Sequence, residues 1–124
     1  MFQITPAHAH CDLPCGVYDP AQARIEAESV KAIIEKMQSM EGDDRVRAIL
    51  IKEQRAELVK HHVMVLWADY FKPVHLEAHP ELHDLVWRTL KAASDCKHHS
   101  DVESADTLLD LVDEIAAIFA DTKK

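Results

Sequence analysis

Four stretches of apolar residues recur at three- and four-residue spacing, broken at Gly42, at Pro73 to Pro80 and at the polar run CKHHSD, Cys96 to Asp101. That period belongs to amphipathic helices and leaves no room for a sheet. Asp19-Pro20 reads as a helix start, with Asp as cap and Pro in the first turn. Its stripe is Ile25, Val30, Ile33, Ile34 and Met37. A longer second helix, capped by Asp43 or Asp44, carries Val46, Ile49, Leu50, Ala56, Val59, Val63, Leu66, Trp67 and Tyr70. The third starts at Pro80, with Leu82, Leu85, Val86, Leu90 and Ala93 inward. The fourth, capped by Ser100 or Asp101, carries Val102, Ala105, Leu108, Leu109, Val112, Ile115 and Phe119. Only two glycines and five prolines interrupt 124 residues, 48% of them hydrophobic, enough for one domain with its own core. The expected fold is all-α: an antiparallel four-helix bundle over residues 19–124, with short connections.

The formal charge of −8 argues against nucleic acid, whose binding needs clustered Lys and Arg. An anionic substrate would need nearby cations, with Arg55, Lys60 and Lys72 as candidates, to reverse that field locally. No apolar run approaches the roughly 20 residues that span a bilayer. Three cysteines is an odd number, and a helical chain needs no disulfide staples, so reduced thiols in a cytoplasmic protein are the simplest reading. The N-terminal MFQITP lacks the basic and apolar regions of a secretory signal, although AHA at Ala7 to Ala9 has the small-x-small pattern of a cleavage site. A short cytosolic pro-segment, residues 1–9, accounts for both.

The segment AHAHCDLPCGVYDP, Ala7 to Pro20, precedes every helix and holds two of the three thiols. Cys11 and Cys15 are spaced C-x3-C around a turn containing Pro14 and Gly16, which lets both sulfurs reach one metal ion. The same spacing also suits a disulfide or two incidental cysteines. Cleavage between Ala9 and His10 would add a free α-amine, the His10 imidazole and the Cys11 amide to the two thiolates. Two nitrogens and two sulfurs in a plane suit nickel or copper, with the imidazole as a fifth ligand.

The stretch HCDLPCGVYDPAQARIEAESVKA, His10 to Ala32, resembles the start of mature nickel superoxide dismutases. The resemblance continues through IKEQRAELVKHHVMVLWADYFKP, Ile51 to Pro73, through PELHDLV, Pro80 to Val86, and through Phe119 to Lys124. It implies that residues 10–18 form a nickel-binding hook, one nickel ion per subunit. The ligands would be the amine and imidazole of His10, the amide and thiolate of Cys11 and the thiolate of Cys15. It further implies a Leu13–Pro14 cis bond, removal of residues 1–9 by a dedicated peptidase, and a hexamer of four-helix subunits. Asp12 would orient the hook backbone. Glu26 and Arg55, which alone read as solvated helix charges, would orient the His10 imidazole. Tyr18 and Tyr70 would line the substrate entrance and limit access to the metal and its oxidisable sulfurs. The substrate would be superoxide, converted to dioxygen and peroxide by Ni(III)/Ni(II) cycling. While residues 1–9 remain attached, the His10 nitrogen is an amide and a poorer ligand than an amine, so an altered or nickel-free hook is expected in the uncut chain.

Three further features compete. A non-enzymatic zinc- or copper-binding bundle using Cys11, Cys15 and a histidine is the alternative function. His75, His79 and His83 follow an i, i+4, i+8 spacing suited to zinc on a continuous helix, but Pro80 interrupts it. The pairs His61-His62 and His98-His99 read as surface residues, and Cys96 as a small residue near the end of the third long helix.

Overall fold

The computed structural model describes residues 15–124; residues 1–14, and with them Ala9, His10, Cys11, Asp12 and the Leu13–Pro14 bond, lie outside it. Among the described residues there are five α-helices and no strand: α1 (Ala21–Met37), α2 (Gly42–Val65), α3 (Pro73–Ala78), α4 (Leu82–His98) and α5 (Val102–Thr122). The end of α2 widens into a π-helical turn, Leu66–Tyr70, closed by the Phe71 N–H donating to the Leu66 carbonyl at 2.9 Å. The four long helices are the bundle. Each packs on its chain neighbours and α1 closes the ring against α5, the arrangement short connections impose on antiparallel helices.

Local chemistry sets the ends. Asp19 Oδ1 accepts the Ala21 N–H at 2.8 Å and Pro20 already has helical dihedrals, so Asp19-Pro20 opens α1, with Pro20 rather than Asp19 at the cap position, one residue later than expected. Asp101 caps α5 by accepting the Ser104 N–H at 2.9 Å. The expected cap of α2 is displaced: Glu41 is extended, Gly42 turns the chain at φ +59°, and Asp43 and Asp44 occupy the first turn instead. There their carboxylates oppose the positive end of the helix dipole.

The centre is made of Ala27, Val30, Ile34 and Met37 from α1, Ala56, Val59 and Val63 from α2, Leu82, Leu85 and Ala93 from α4, and Leu108, Val112 and Ile115 from α5. Each full-size aliphatic side chain so buried contributes about 1.5–3 kcal/mol. Three residues assigned inward by periodicity face out: Ile25, Val46 and Leu50 are 58%, 56% and 55% exposed. Small Ala23, Ala27 and Ala48 take the inner positions, where close helix approach excludes larger side chains. Ile33, Ile49, Trp67, Tyr70, Leu90, Val102 and Leu109 lie partly buried at the rim of the core. The break from Pro73 to Pro80 contains the short helix α3, which periodicity did not reveal.

The core also takes in Lys52, only 1% exposed. Its ammonium donates to the carbonyls of Lys97 (3.3 Å) and His99 (2.8 Å) and to Ser100 Oγ (2.9 Å). These groups mark the C-terminal end of α4 and the turn into α5, where orphan carbonyls and the negative end of the dipole favour a cation. Burial lowers the lysine pKa from its ordinary value. Nearby Cys96 is fully buried, and burial pushes its thiol up to about 11.

Two predictions follow from this corner. Lys52→Met removes the buried donor to three partly buried acceptors and lowers unfolding free energy by about 1–3 kcal/mol in urea titrations; an unchanged midpoint would refute the capping role. For Cys96, the folded thiol keeps its proton to higher pH than the unfolded one, so its contribution to stability is complete below the unfolded pKa and declines above it. The stability gap between parent and Cys96→Ala therefore narrows by about 1–2 kcal/mol from about pH 8 to about pH 10.5. Chemical denaturation at the two pH values reads this directly.

Candidate functional site

At one end of the bundle the chain enters α1 from Cys15 through Tyr18. Gly16 has φ +73°, a left-handed conformation that favours glycine. This turn brings the Val17 N–H onto Cys15 Sγ, which accepts it at 3.4 Å. Cys15 is exposed. An accessible sulfur already receiving an N–H bond suits a thiolate donor to a soft, thiophilic divalent ion, and in that respect the described part of the hook fits nickel.

Tyr18 and Tyr70, 52 residues apart in sequence, come together with ring centroids 5.7 Å apart. They share a cleft of about 300 Å³ with Gly16, Asp69, Lys72 and His75. The π turn carries Asp69 and Tyr70 to this wall, and α3 supplies His75. The His75 ring stacks on Tyr70 at 5.6 Å with an interplanar angle of 12°, and its Nδ1 accepts the Lys72 N–H at 3.0 Å. Tyr70 is held on its other side by α5. Its ring lies 4.5 Å from that of Phe119, its hydroxyl 2.6 Å from Thr122 Oγ1, and Lys123 Nζ 5.0 Å from its centroid. Asp69 Oδ2 is shut off from solvent without a hydrogen-bond partner among the described residues.

Glu26 of α1 and Arg55 of α2 also meet. Arg55 Nη1 donates to Glu26 Oε2 at 3.1 Å and Oε1 at 3.3 Å, with the Glu26 side chain only 15% exposed. The two residues that the resemblance assigns to orienting the His10 imidazole thus contact each other, and His10 itself lies outside the described residues. Of the three candidate cations, Lys72 lines the cleft, Arg55 is paired with Glu26, and Lys60 donates to Ser94 Oγ at 3.3 Å. His10, Cys11 and Asp12 lie outside the described residues.

The three histidines with zinc-like spacing separate. His75 stacks on Tyr70. His79 lies 2.8 Å from Asp121 Oδ2 and 3.4 Å from Glu81 Oε1, and His83 meets Trp67 edge-on. No group of three His, Cys, Asp or Glu side chains suited to a metal occurs among the described residues. Pro80 ends the helical register on which the zinc spacing depended. Missing from the sequence reading were Asp69, Thr122 and the role of His75. Only Lys72-Pro73, a helix start three residues before His75, signalled that this histidine would be fixed to the backbone.

The family model described as nickel-containing superoxide dismutase matches residues 5–123. A superoxide dismutase [Ni] of Streptomyces coelicolor is 62% identical over 119 residues, covering 94% of this chain and 89% of the relative. That of Streptomyces seoulensis is 60% identical with the same coverage. A native nickel superoxide dismutase structure superposes with a TM-score of 0.89 at 61% identity, covering 93% of this chain and all of the other. With agreement of this extent in both sequence and fold, the chain belongs to the nickel-containing superoxide dismutase family.

Proposed function

We propose that the protein dismutes superoxide: two superoxide anions and two protons become dioxygen and hydrogen peroxide. The family match across residues 5–123 carries this reading. Nickel, when bound, supplies the Ni(III)/Ni(II) couple that takes an electron from one superoxide and gives it to the next. The residues that would hold it are His10, Cys11 and Cys15, in a hook of residues 10–18 released when the bond between Ala9 and His10 is cut. Anionic sulfur donors favour the higher oxidation state, which aqueous nickel does not reach under such conditions. The carrier alternative, a zinc- or copper-binding bundle, finds no support in this family.

The other assignments are those that the resemblance implies, and the positions of Glu26, Arg55, Tyr18 and Tyr70 support them. Glu26, held by Arg55, is suited to orient the His10 imidazole. Tyr18 and Tyr70 form the cleft wall that limits access to the sulfurs. Asp12 orients the hook. Lys72 on the cleft wall and Lys123 over Tyr70 put positive charge where an anion would approach a chain of net charge −8. Exposed Ile25, Val46, Leu50 and Trp87 support self-association, for which we propose the hexamer implied by resemblance. No helix among the described residues is long and apolar enough to cross a membrane. We assign the mature protein to the cytoplasm, after trimming by a peptidase.

The decisive measurement follows superoxide loss by pulse radiolysis with three nickel-treated samples: protein trimmed to His10, the uncut chain, and trimmed protein with Cys11 and Cys15 both changed to Ser. Only the first should accelerate the loss, hold one nickel per chain and give a signal of trivalent nickel. Equal rates in all three would refute the assignment. In the trimmed enzyme, Lys72→Gln should lower kcat/KM several-fold at low ionic strength and flatten its dependence on salt. A salt profile identical to the parent's would remove Lys72 from that role.

A further inference from the structure

The hydroxyl oxygen of Thr122 lies 2.5 Å from the Phe119 carbonyl oxygen and 2.6 Å from the phenol oxygen of Tyr70. A carbonyl only accepts, and a threonine hydroxyl has one hydrogen. Thr122 therefore donates to Phe119, and what it presents to Tyr70 is a lone pair. The phenol must be the donor in the Tyr70–Thr122 bond.

We propose that Thr122 is a positioning residue for Tyr70: it draws the phenol proton toward α5 and leaves the cleft facing only the acceptor side of the Tyr70 oxygen. The inference rests on the dismutase reading for its catalytic meaning, though the hydrogen-bond direction stands on geometry alone. The ring cannot easily turn to reverse the arrangement, because Phe119 and His75 pack against it. His75 is oriented in a complementary way. Its Nδ1 accepts the Lys72 N–H, so in the neutral ring the proton sits on Nε2. Superoxide anion accepts hydrogen bonds and has none to give, so Tyr70 does not bind it directly. Tyr70 instead accepts from water or from newly protonated peroxide, while the Lys72 ammonium and the His75 Nε2–H are the donors on that wall.

The chain has two tyrosines, so Tyr18→Phe leaves Tyr70 as the sole tyrosine. Ultraviolet resonance Raman of this full-length variant, without nickel, reads the hydrogen-bond role of Tyr70 from the intensity ratio of its ring doublet. The expected spectrum is that of a strong phenol donor, with the ratio rising in Thr122→Val and restored in Thr122→Ser. In trimmed, nickel-loaded protein that retains Tyr18, Thr122→Val should lower kcat/KM about tenfold, the effect of one lost hydrogen bond, with Thr122→Ser near the parent. An acceptor spectrum in the parent, a doublet unmoved by Thr122→Val, or a moved doublet with unchanged kinetics each overturns the positioning role. A parent that fails to dismute superoxide overturns the functional reading, and the positioning role with it, whatever the Raman result.

Discussion

The contact on which the site depends is that between Tyr18 and Tyr70. The four described residues ahead of Asp19, Cys15 to Tyr18, have too few side chains to bury a core, so their position must come from whatever they lean on. The bundle provides a wall in the form of one aromatic ring gripped from two sides: His75 stacks on one part of Tyr70, and Phe119 and Thr122 of α5, with Lys123 just after it, hold the rest. The ring is thus tied to α3 and α5 as well as to its own π turn. A wider turn at the end of α2 offsets the last residues from the α-helical phase, a feature often found where a helix must redirect side chains at a functional site.

Charge is handled locally against an unfavourable whole. A net charge of −8 repels an anion at long range, and salt screens that repulsion only beyond about 8–10 Å. Close to the cleft the balance differs, because Lys72 and Lys123 stand beside it while Arg55 and Lys60 are engaged elsewhere. Elsewhere on the surface, ion pairs such as Lys31–Asp106 and Lys97–Glu57 link α1 to α5 and α4 to α2. Their side chains are exposed enough that each contributes little to stability.

Most of the fold could be read from periodicity, since Val30, Ile34, Val59, Val63, Leu85, Leu108 and Ile115 recur with the helical period and are all buried. Periodicity failed where a helix touches two neighbours and small residues occupy the tight interface, as with Ala27 and Ala48 in place of Ile25 and Val46. It gave no hint of Lys52, because a lysine enters a core only when carbonyls from a distant turn converge on it, and that convergence is tertiary. The family and the neighbouring of Tyr18 and Tyr70 were legible through resemblance, whereas the contact between Glu26 and Arg55 came only with the structure. Thr122 was not, since a threonine two residues from the chain end has no chemical signature until Tyr70 meets it.

The two cysteines among the described residues, Cys15 and Cys96, differ sharply in environment. Only the thiolate binds a metal, so a thiol competes for nickel in proportion to how readily it loses its proton. Cys96 sits among apolar side chains with its pKa raised to about 11; the nearby Lys52 ammonium offsets only part of that burial effect. It remains a neutral, inaccessible thiol at physiological pH and acts as a small core side chain. Cys15 has the opposite setting, exposed and with the Val17 N–H directed at its sulfur by the left-handed turn at Gly16. An N–H bond to a sulfur withdraws electron density from it, which makes the sulfur less open to oxidation by the peroxide it would help produce. A residue with a side chain at Gly16 would strain the turn and displace the N–H, so the glycine serves the chemistry of the sulfur beside it as much as the path of the chain.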